Sequence, residues 1–379
     1  MRLVPRPAPC LLQSLADERE LVHGDASGYL ELAPGLTQVV NPVAWEGNGD
    51  RARLRRYTGS VAPLRILALG PARLYAAGVL ADEAGNVFCP EEFAADEVLA
   101  MDHPVNLLTG AYDYDPESAT ATANEALAVR GVEEPCVVLS QCGWDIYGHW
   151  LLDILPKLPL LQRLPGDVPV LLPAGLAPWQ LEHLQLLGLG EERVITYDPG
   201  AEVVQLRRAL CISHPRQYYA LNACANAAYE AILAALPAPP APGRKLYVSR
   251  RRLTSGKQDL VNSVAIEEML LGLGFEVVEP ETMSAAQQVQ CFAAATLVVG
   301  EQGSGLHNTA FSPRGTRVLC LHSERAQFFA QAGLGHIRAQ PTGFIFGRHR
   351  ADLDTHATDR VFEVDPELLR GVLEQTAFR

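Results

Sequence analysis

The sequence predicts an α/β protein with two parallel sheets, preceded by a small β-rich N-terminal layer. Three observations lead to this prediction. From Cys136 onward, short apolar runs that resemble strands alternate with helical stretches, which is typical of parallel sheets. The proline-rich segment Pro237–Gly243 can continue neither a helix nor a strand and indicates a stiff, extended linker. Beyond this linker the alternation of strands and helices starts again.

Residues 1–130 form the least regular part of the chain, and we expect a β-rich region packed on the first α/β domain. The predicted strands are Arg65–Leu69, Arg73–Ala77, Gly78–Ala81 and Val87–Phe88, with a hairpin turn at Asp82–Asn86. Asp113-Tyr-Asp115 matches a short D-x-D metal pattern. Two matching residues arise easily by chance in an acidic chain, so we expect no metal site there.

The first α/β domain is predicted at residues 131–236. Its strands are Cys136–Leu139, Val168–Leu172, Val194–Tyr197 and Ala209–Ile212, and its helices are Pro178–Leu187 and Asn222–Leu236. An apolar, partly helical stretch is predicted from Ile146 to Leu164. Asn222 is the expected N-cap of the last of these helices, because its side chain can accept from a free backbone N–H. The linker at residues 237–243 ends the domain.

The second α/β domain is predicted at residues 244–379. Its strands are Lys245–Ser249, Phe275–Val278, Thr296–Val299, Arg317–Leu321 and Val361–Val364; its helices contain Ile266–Leu273, Ser284–Ala294, a segment that begins at Leu306, and a closing helix from Asp365 to about Thr376. We expect the two sheets to face each other across a cleft. Ligands of such folds bind at the carboxyl ends of the strands.

Composition excludes several classes of protein. The chain has 379 residues, of which 48 % are hydrophobic, but no apolar run approaches the length of a membrane span. The net charge of −13 argues against a nucleic-acid surface. The eight cysteines contain no C-x-x-C pair, so we interpret them as reduced residues of a cytosolic protein without a zinc site.

A glycine-rich loop follows the predicted strand Thr296–Val299. Glycines at 300, 303 and 305 allow the backbone to approach a ligand closely, and the helix that follows directs free N–H groups toward an anion. The spacing differs from the dinucleotide fingerprint G-x-G-x-x-G and from a Walker A loop. The alternative is a tight strand-to-helix turn that needs glycine and binds nothing.

Three consecutive arginines, 250 to 252, follow the strand Lys245–Ser249, and Lys257 comes soon after. Arginine binds phosphate with two parallel hydrogen bonds, so this cluster could neutralise a diphosphate that rests on the glycine-rich loop. The alternative is a solvated basic turn that pairs with surface carboxylates.

His149 and Asp153 lie four residues apart and share a face if this stretch is helical. A histidine beside a carboxylate forms an oriented general base. The alternatives are a half-buried histidine without a catalytic role and an aspartate that caps a helix with Pro156 in its first turn.

Four segments in this order resemble the family 61 glycosyltransferases. They are Tyr147-Gly-His-Trp-Leu-Leu-Asp-Ile-Leu-Pro156, Tyr247-Val-Ser-Arg-Arg251 with Asn262, Gly274-Phe-Glu-Val-Val-Glu-Pro-Glu281 with Gln287 or Gln288, and Gly300-Glu-Gln-Gly-Ser-Gly-Leu-His-Asn308. The resemblance covers roughly residues 135–325. It implies a GT-B-like fold, a nucleotide-sugar donor, and inversion at the anomeric carbon without a tightly bound metal or another cofactor.

The resemblance also implies roles for individual residues. The expected catalytic residues are His149, Asp153 and Glu301; those that bind the nucleotide diphosphate are Arg250, Arg251, Gly303, Ser304, Gly305 and Asn308; those that contact substrates are Trp150, Asn262, Gln302 and His307. Gln302 stands where many family members carry a histidine, so it cannot be a base. Glu301 stands where a small residue is common and either binds a sugar hydroxyl or acts as the base. Which of the three catalytic candidates takes the proton stays open.

The hypothesis is therefore a cytoplasmic, bacterial glycosyltransferase of surface polysaccharide biosynthesis, such as a capsule enzyme. Its acceptor would be a glycan or a lipid-linked oligosaccharide, with peripheral contact at the inner face of the membrane left open. One alternative is another polysaccharide-modifying α/β transferase of the pyruvyl transferase type. The other is a non-catalytic carbohydrate-binding or assembly protein with the same fold, which the missing loop histidine favours.

Overall fold

The computed structural model describes residues 1–7, 13–39, 43–44, 58–61, 63–89, 110–115, 117–118, 120–165, 168–217, 219–239, 241–253, 259–325, 328–354 and 360–374. Lys257, Pro240 of the linker and the predicted end of the last helix at Thr376 lie outside these residues. None of the helices in the described ranges is both long and apolar enough to cross a membrane.

The strands are numbered in chain order. They are β1 (Arg2–Pro7), β2 (Gln13–Ser14), β3 (Gly28–Ala33), β4 (Leu36–Val39), β5 (Val43–Ala44), β6 (Thr58–Val61), β7 (Leu64–Leu69), β8 (Ala72–Tyr75), β9 (Val79–Asp82), β10 (Asn86–Cys89), β11 (Tyr112–Asp115), β12 (Thr120–Ala123), β13 (Ala128–Val132), β14 (Cys136–Val138), β15 (Val170–Pro173), β16 (Val194–Tyr197), β17 (Glu202–Leu206), β18 (Ala209–Ile212), β19 (Arg216–Gln217), β20 (Ala220–Leu221), β21 (Arg244–Val248), β22 (Glu276–Val278), β23 (Ala295–Glu301), β24 (Arg317–Ser323), β25 (Thr342–His349) and β26 (Phe362–Glu363).

The α-helices are numbered in the same way. They are α1 (Glu18–His23), α2 (Tyr147–His149), α3 (Pro178–Leu186), α4 (Ala225–Ala235), α5 (Ser263–Gly272), α6 (Ala285–Ala293), α7 (Ala330–Ile337) and α8 (Pro366–Glu374). A π-helical turn covers Trp150–Ile154, and 3₁₀-helices cover Leu155–Arg163, Glu191–Arg193, Pro280–Thr282 and Ser304–Phe311.

The chain divides into two compact units, and neither is a continuous stretch of sequence. The first unit consists of Met1–Leu36 and Ala62–Gln217, and the second of Thr37–Val61 and Tyr218–Arg379. These bounds differ from the predicted domains: residues 219–236, including α4, group with the second unit, although they precede the proline-rich segment.

The first unit contains two large sheets. One has the order β11-β12-β1-β10-β9-β8-β17-β13, and the other has the order β16-β15-β14-β18-β7-β3-β2. In the second sheet β16, β15, β14 and β18 are parallel neighbours, whereas β7 is antiparallel to β18. Strands from residues 1–130 therefore pair directly with strands from residues 131–217 and do not form a separate layer.

The second unit is built on one sheet with the order β22-β21-β23-β24-β25-β26, in which all pairs except β25 with β26 are parallel. The apolar face of this sheet packs against α5 and α8 through Tyr247, Val299, Ile266 and Leu369. The expectation of an α/β protein with parallel sheets is confirmed in both units.

The stretch Ile146–Leu164, predicted to be partly helical, is helical over residues 147–163 but is not a single α-helix. The segment is one α-helical turn, then the π-helical turn, and then a 3₁₀-helix. Pro156 and Pro159 carry no backbone N–H, so an α-helical ladder of hydrogen bonds cannot continue through them. The N–H of Leu155 instead bonds the carbonyl of Trp150, which closes the wider π turn.

Two other helix predictions also need correction. The helix predicted from Asn222 begins at Ala225, and Asn222 Oδ1 accepts from the N–H of Cys224 at 2.9 Å, outside the helix. The segment after the glycine-rich loop is a 3₁₀-helix that begins at Ser304, where an α-helix from Leu306 was expected.

Asn262 joins the start of α5 to the segment after β26. Its Nδ2 donates to the carbonyl of Val364 at 2.7 Å, and its Oδ1 accepts from the N–H of Val364 at 3.2 Å. Both ends of the side-chain amide are thus used on one backbone residue. Because Val364 and Leu369 belong to the core of this unit, the amide ties the C-terminal segment to it.

We expect Asn262→Ala to lower the free energy of unfolding by about 1–3 kcal/mol, because two hydrogen bonds of about 1 kcal/mol are lost and Val364 is left partly unsatisfied. Denaturant unfolding measures this. Val264→Ala, on the exposed side of the same helix, is the matched control and should change stability by less than about 0.5 kcal/mol. Equal effects of the two variants would contradict the proposed tie.

Candidate functional site

His149 and Asp153 lie within one short helical segment of the first unit and contact each other. His149 Nδ1 is 2.8 Å from Asp153 Oδ2. The Asp153 side chain is almost completely buried, whereas the His149 side chain is 38 % exposed. The pair therefore has a buried acidic end and an imidazole that solvent can reach. The alternative that Asp153 caps a helix is wrong, because its carboxylate is used on side chains.

Arg216 binds the same carboxylate with two parallel hydrogen bonds. Its Nε donates to Asp153 Oδ1 and its Nη2 to Asp153 Oδ2, both at 2.7 Å. Burial alone would raise the pKa of the Asp153 carboxyl, but the charge and hydrogen bonds of Arg216 and the hydrogen bond from His149 hold it well below its usual range. Asp153 is therefore an ionised carboxylate that binds Arg216 and His149.

Gly143 supports the other side of the imidazole. Its φ of 74° is in the left-handed region, and a Cβ at this position would lie 2.9 Å from His149 Cδ2. Only glycine allows the backbone to pass this close to the ring without strain. The imidazole is thus held between the Gly143 backbone and the Asp153 carboxylate.

Further charged and polar side chains surround this group. Lys157 Nζ is buried and donates to Gln141 Oε1 at 2.6 Å. Burial, together with the charges of Lys157 and Arg216, lowers the pKa of His214 to about 3, so this imidazole is neutral at pH 7.

The sheet explains why these residues meet. β14 and β18 are parallel neighbours, with Cys136 opposite Ala209. Gln141 and Gly143 follow the carboxyl end of β14, and His214 and Arg216 follow that of β18. This is the edge at which α/β folds bind ligands. Arg216 and His214 were missed by the sequence analysis, although their position just after a predicted strand was a usable signal.

Trp150, expected to contact substrate, is completely buried and packs edge-to-face on Trp179, with ring centroids 5.8 Å apart. Its Nε1 has no hydrogen-bond partner among the described residues. Trp150 is thus a core residue next to His149 in the chain.

In the second unit, Arg250 lies against the glycine-rich loop. Its Nη1 donates to the carbonyl of Gln302, and a Cβ at Gly303 would collide with the same nitrogen. Nη1 is also 3.7 Å from Asp259 Oδ2. β21 and β23 are parallel neighbours, so Arg250 and the loop share the carboxyl edge of this sheet. The structure therefore brings the expected arginine and loop together.

The neighbouring arginines point elsewhere. Arg251 Nη1 pairs with Glu267 of α5 at 2.9 Å, and Arg252 Nε pairs with Glu279 at 3.1 Å. The Arg252 side chain is 70 % exposed. The alternative of a basic turn paired with carboxylates thus describes Arg251 and Arg252, while Arg250 contacts the loop.

Buried amide side chains bind the start of the 3₁₀-helix Ser304–Phe311 on its core side. Asn308 is fully buried, and its Nδ2 donates to Gln288 Oε1 at 2.8 Å and to the carbonyl of Gly305 at 3.1 Å. His307 is also buried, with Nδ1 2.9 Å from Gln331 Oε1. Both side chains fix the shape of the loop, whereas Gln302, Gly303, Ser304 and Gly305 are partly exposed.

Glu301 ends β23 and is 2 % exposed. By strand alternation its side chain shares the face of Val299, which packs in the core, and so it points away from Gly300. Burial raises the pKa of the Glu301 carboxyl to about 7, against the opposing charge of Arg250. Its Oε2 has no hydrogen-bond partner among the described residues. The protein thus holds an acid here that is half ionised near neutral pH.

The Glu301 environment predicts a pH-dependent stability difference. A carboxyl whose pKa is raised from 4.5 to about 7 in the folded state stabilises that state fully below pH 4.5, and this contribution is lost as the pH rises to about 7. We expect Glu301→Gln, which cannot ionise, to become more stable than the wild type over this window, by about 3 kcal/mol at pH 8.

Urea unfolding of both proteins between pH 4.5 and pH 8 measures the difference. Glu268→Gln, at an exposed position of α5 in the same unit, controls for the loss of one negative charge. A stability difference between wild type and Glu301→Gln that stays constant with pH would show that Glu301 does not titrate in this range.

A comparison with protein-family models finds a match. Residues 147–319 match the family model Glycosyltransferase 61, which is a little under half of the chain. The matched range contains His149, Asp153, Arg216, Arg250 and the glycine-rich loop. No curated protein matches the chain. The match supports glycosyltransferase family 61 for this part of the chain, and with it a glycosyltransferase that uses a donor and an acceptor substrate.

Proposed function

We propose that the protein is an inverting glycosyltransferase that moves a sugar from a nucleotide-sugar donor to a hydroxyl of a glycan or lipid-linked acceptor. The observation that carries the proposal is the exposed imidazole of His149, whose Nδ1 is fixed on a buried, ionised carboxylate. The family match over the same residues supports the reaction type.

His149 is the general base in this proposal. With Nδ1–H donated to Asp153, the lone pair on Nε2 is available to accept the proton of the acceptor hydroxyl. The acceptor oxygen forms a bond to the anomeric carbon from the face opposite the diphosphate. The bond between that carbon and the diphosphate oxygen breaks, and the diphosphate leaves with its electron pair. One direct displacement inverts the configuration.

The second unit supplies the donor site. Arg250 and the partly exposed backbone of residues 303–305 present positive charge and N–H groups at the carboxyl edge of the sheet. A leaving diphosphate gains negative charge, and fixed donors at that point lower the barrier. Arg251, held by Glu267, contributes charge from a greater distance.

Glu301 is the weaker candidate for the base. Its carboxyl is buried on the core side of the sheet, and an acceptor hydroxyl has to reach the atom that takes its proton. The His149 side chain is exposed to solvent, whereas the Glu301 side chain is buried. In the proposal Glu301 instead adjusts the field around Arg250.

The remaining parts of the proposal rest on the resemblance between the four motifs and the family. They are a GT-B-like organisation of two Rossmann-like domains, catalysis without a tightly bound metal or cofactor, and a role in bacterial surface polysaccharide biosynthesis. A cytoplasmic location with peripheral access to the membrane follows from that role. The parallel sheet in each unit supports the first of these.

Donor binding tests the site in the second unit. A nucleoside diphosphate or nucleotide sugar at 100 times its dissociation constant should add about 2.7 kcal/mol of stability, seen as a rise in Tm of roughly 5–10 °C. We expect Arg250→Met to weaken this ligand about 10- to 100-fold, because a charge-assisted hydrogen bond to phosphate is lost.

Arg252→Met is the matched control for donor binding, since it removes the same charge from an exposed side chain two residues away. It should leave the dissociation constant within a factor of about 3. Stabilisation of the wild type by no nucleotide would contradict the nucleotide-sugar donor and favour the pyruvyl transferase alternative.

Turnover tests the base. We expect His149→Ala to lower kcat by roughly 10²- to 10⁴-fold, the usual contribution of a general base, with the dissociation constant of the donor unchanged. Transfer from a radiolabelled donor to an acceptor measures kcat, and thermal shift measures binding. His23→Ala, an exposed histidine of the same unit, is the control. A folded His149→Ala protein with full turnover would exclude His149 as the base.

A further inference from the structure

We propose that Arg216 is a positioning residue that keeps the outer nitrogen of His149, Nε2, free of a proton, and so keeps the base in its active form. This inference rests on the proposed function in naming His149 as the base. It assigns Arg216 a role that does not require Arg216 to touch either substrate, because it acts only through Asp153.

The geometry fixes the direction of every hydrogen bond in the group. Arg216 can only donate, and it donates to both oxygens of Asp153. Asp153 Oδ2 is therefore an acceptor from Arg216 and also from His149 Nδ1 at 2.8 Å. Since the carboxylate holds no proton, the proton in the contact between the two residues belongs to Nδ1. A neutral imidazole has one N–H, so Nε2 carries the lone pair.

Removal of Arg216 changes the proton count of the pair. Asp153 would then be a buried negative charge with one hydrogen bond fewer on each oxygen, in a site where burial opposes ionisation. The pair would take up one proton from solvent. In one product the imidazole is a cation beside an ionised Asp153. In the other, a protonated Asp153 donates to Nδ1 and the imidazole proton is on Nε2. Nε2 is protonated in both products.

The surrounding groups do not replace Arg216. His214 faces the pair from the end of β18, but with its pKa lowered to about 3 it carries no charge at pH 7. Lys157, on the 3₁₀-helix after the π turn, directs Nζ to Gln141 Oε1. The guanidinium of Arg216, bound to both carboxylate oxygens, is thus the cation that neutralises Asp153.

The first experiment reads the protonation of His149 directly and needs no substrate. Protein with ¹⁵N-labelled histidine is studied by NMR at pH 7.5, and the His149 signals are identified by their loss in His149→Gln. We expect protonated Nδ1 and bare Nε2 in the wild type, and protonated Nε2 in Arg216→Met. Bare Nε2 in Arg216→Met would overturn the proposal.

Two further variants separate this effect from a general loss of structure. Arg216→Lys keeps a positive charge but offers a single ammonium group in place of the two donating nitrogens of the guanidinium. We expect it to retain the wild-type protonation of His149. Arg65→Met removes an arginine of similar exposure that binds Glu31 in the same unit, and it should leave the His149 signals unchanged. Changed His149 signals in Arg65→Met would mean that the effect is not specific to Arg216.

Turnover gives the second readout. Arg216→Met should lose at least about 100-fold in kcat, as for loss of a general base, with KM for the donor within about 3-fold. Added guanidinium at non-denaturing concentration should restore part of the turnover of Arg216→Ala, which leaves space for it. Full turnover in Arg216→Met would overturn the proposal.

The two proposals fail in different ways. If the wild type transfers no sugar but Nε2 is bare in the wild type and protonated in Arg216→Met, the function is wrong and the role of Arg216 stands. If the wild type transfers sugar and the protonation of His149 does not depend on Arg216, the function stands and the role of Arg216 is wrong.

Discussion

The candidate site of the first unit depends on one interaction, the bidentate contact between Arg216 and the buried carboxylate of Asp153. An ionised carboxyl in this position costs several kcal/mol of desolvation unless a cation and hydrogen bonds offset it. Because Arg216 does so, Asp153 can accept from His149 and orient the imidazole. Two parallel neighbours in one sheet bring the three side chains together, since the loop after β18 and the segment after β14 lie at the same edge.

The second unit uses a different principle, because its loop is shaped mainly by neutral groups. The buried amides of Asn308 and Gln288 bind each other at the start of the 3₁₀-helix, and Asn308 also binds the carbonyl of Gly305. Arg250 binds the loop through the carbonyl of Gln302. The residues left partly exposed are small, Gly303, Ser304 and Gly305, so the backbone itself forms the surface. A phosphate that binds there would meet N–H groups whose positions are already fixed, with little ordering cost left for binding.

The sequence predicted the parallel strands and the pairing of His149 with Asp153, because apolar runs and helical spacing are local signals. It predicted neither the π turn nor the 3₁₀-helix Leu155–Arg163. Their cause, the missing N–H of Pro156 and Pro159, is visible in the sequence but has several structural outcomes. Arg216 was not predicted for another reason, because its position just after a predicted strand places it at the edge of the sheet but does not identify its partner. Its partner is 63 residues away, and only the strand order places the two together. Asn262 and Asn308 were expected at ligands, but both amides bind backbone carbonyls, a use that no local pattern distinguishes.

The discontinuous units have a consequence for biosynthesis. Val43–Ala44 belongs to the second unit and pairs in parallel with Thr342–His349, with Val43 opposite Gly343. On the ribosome this short strand is made about 300 residues before its partner strand. The described strands of the first unit have all been synthesised once Gln217 has been made, whereas the sheet of the second unit is complete only after Phe362–Glu363 has been made. A gene fragment that begins at residue 218 would therefore encode a second unit that lacks its segment Thr37–Val61, which contains β5, β6 and most of β4.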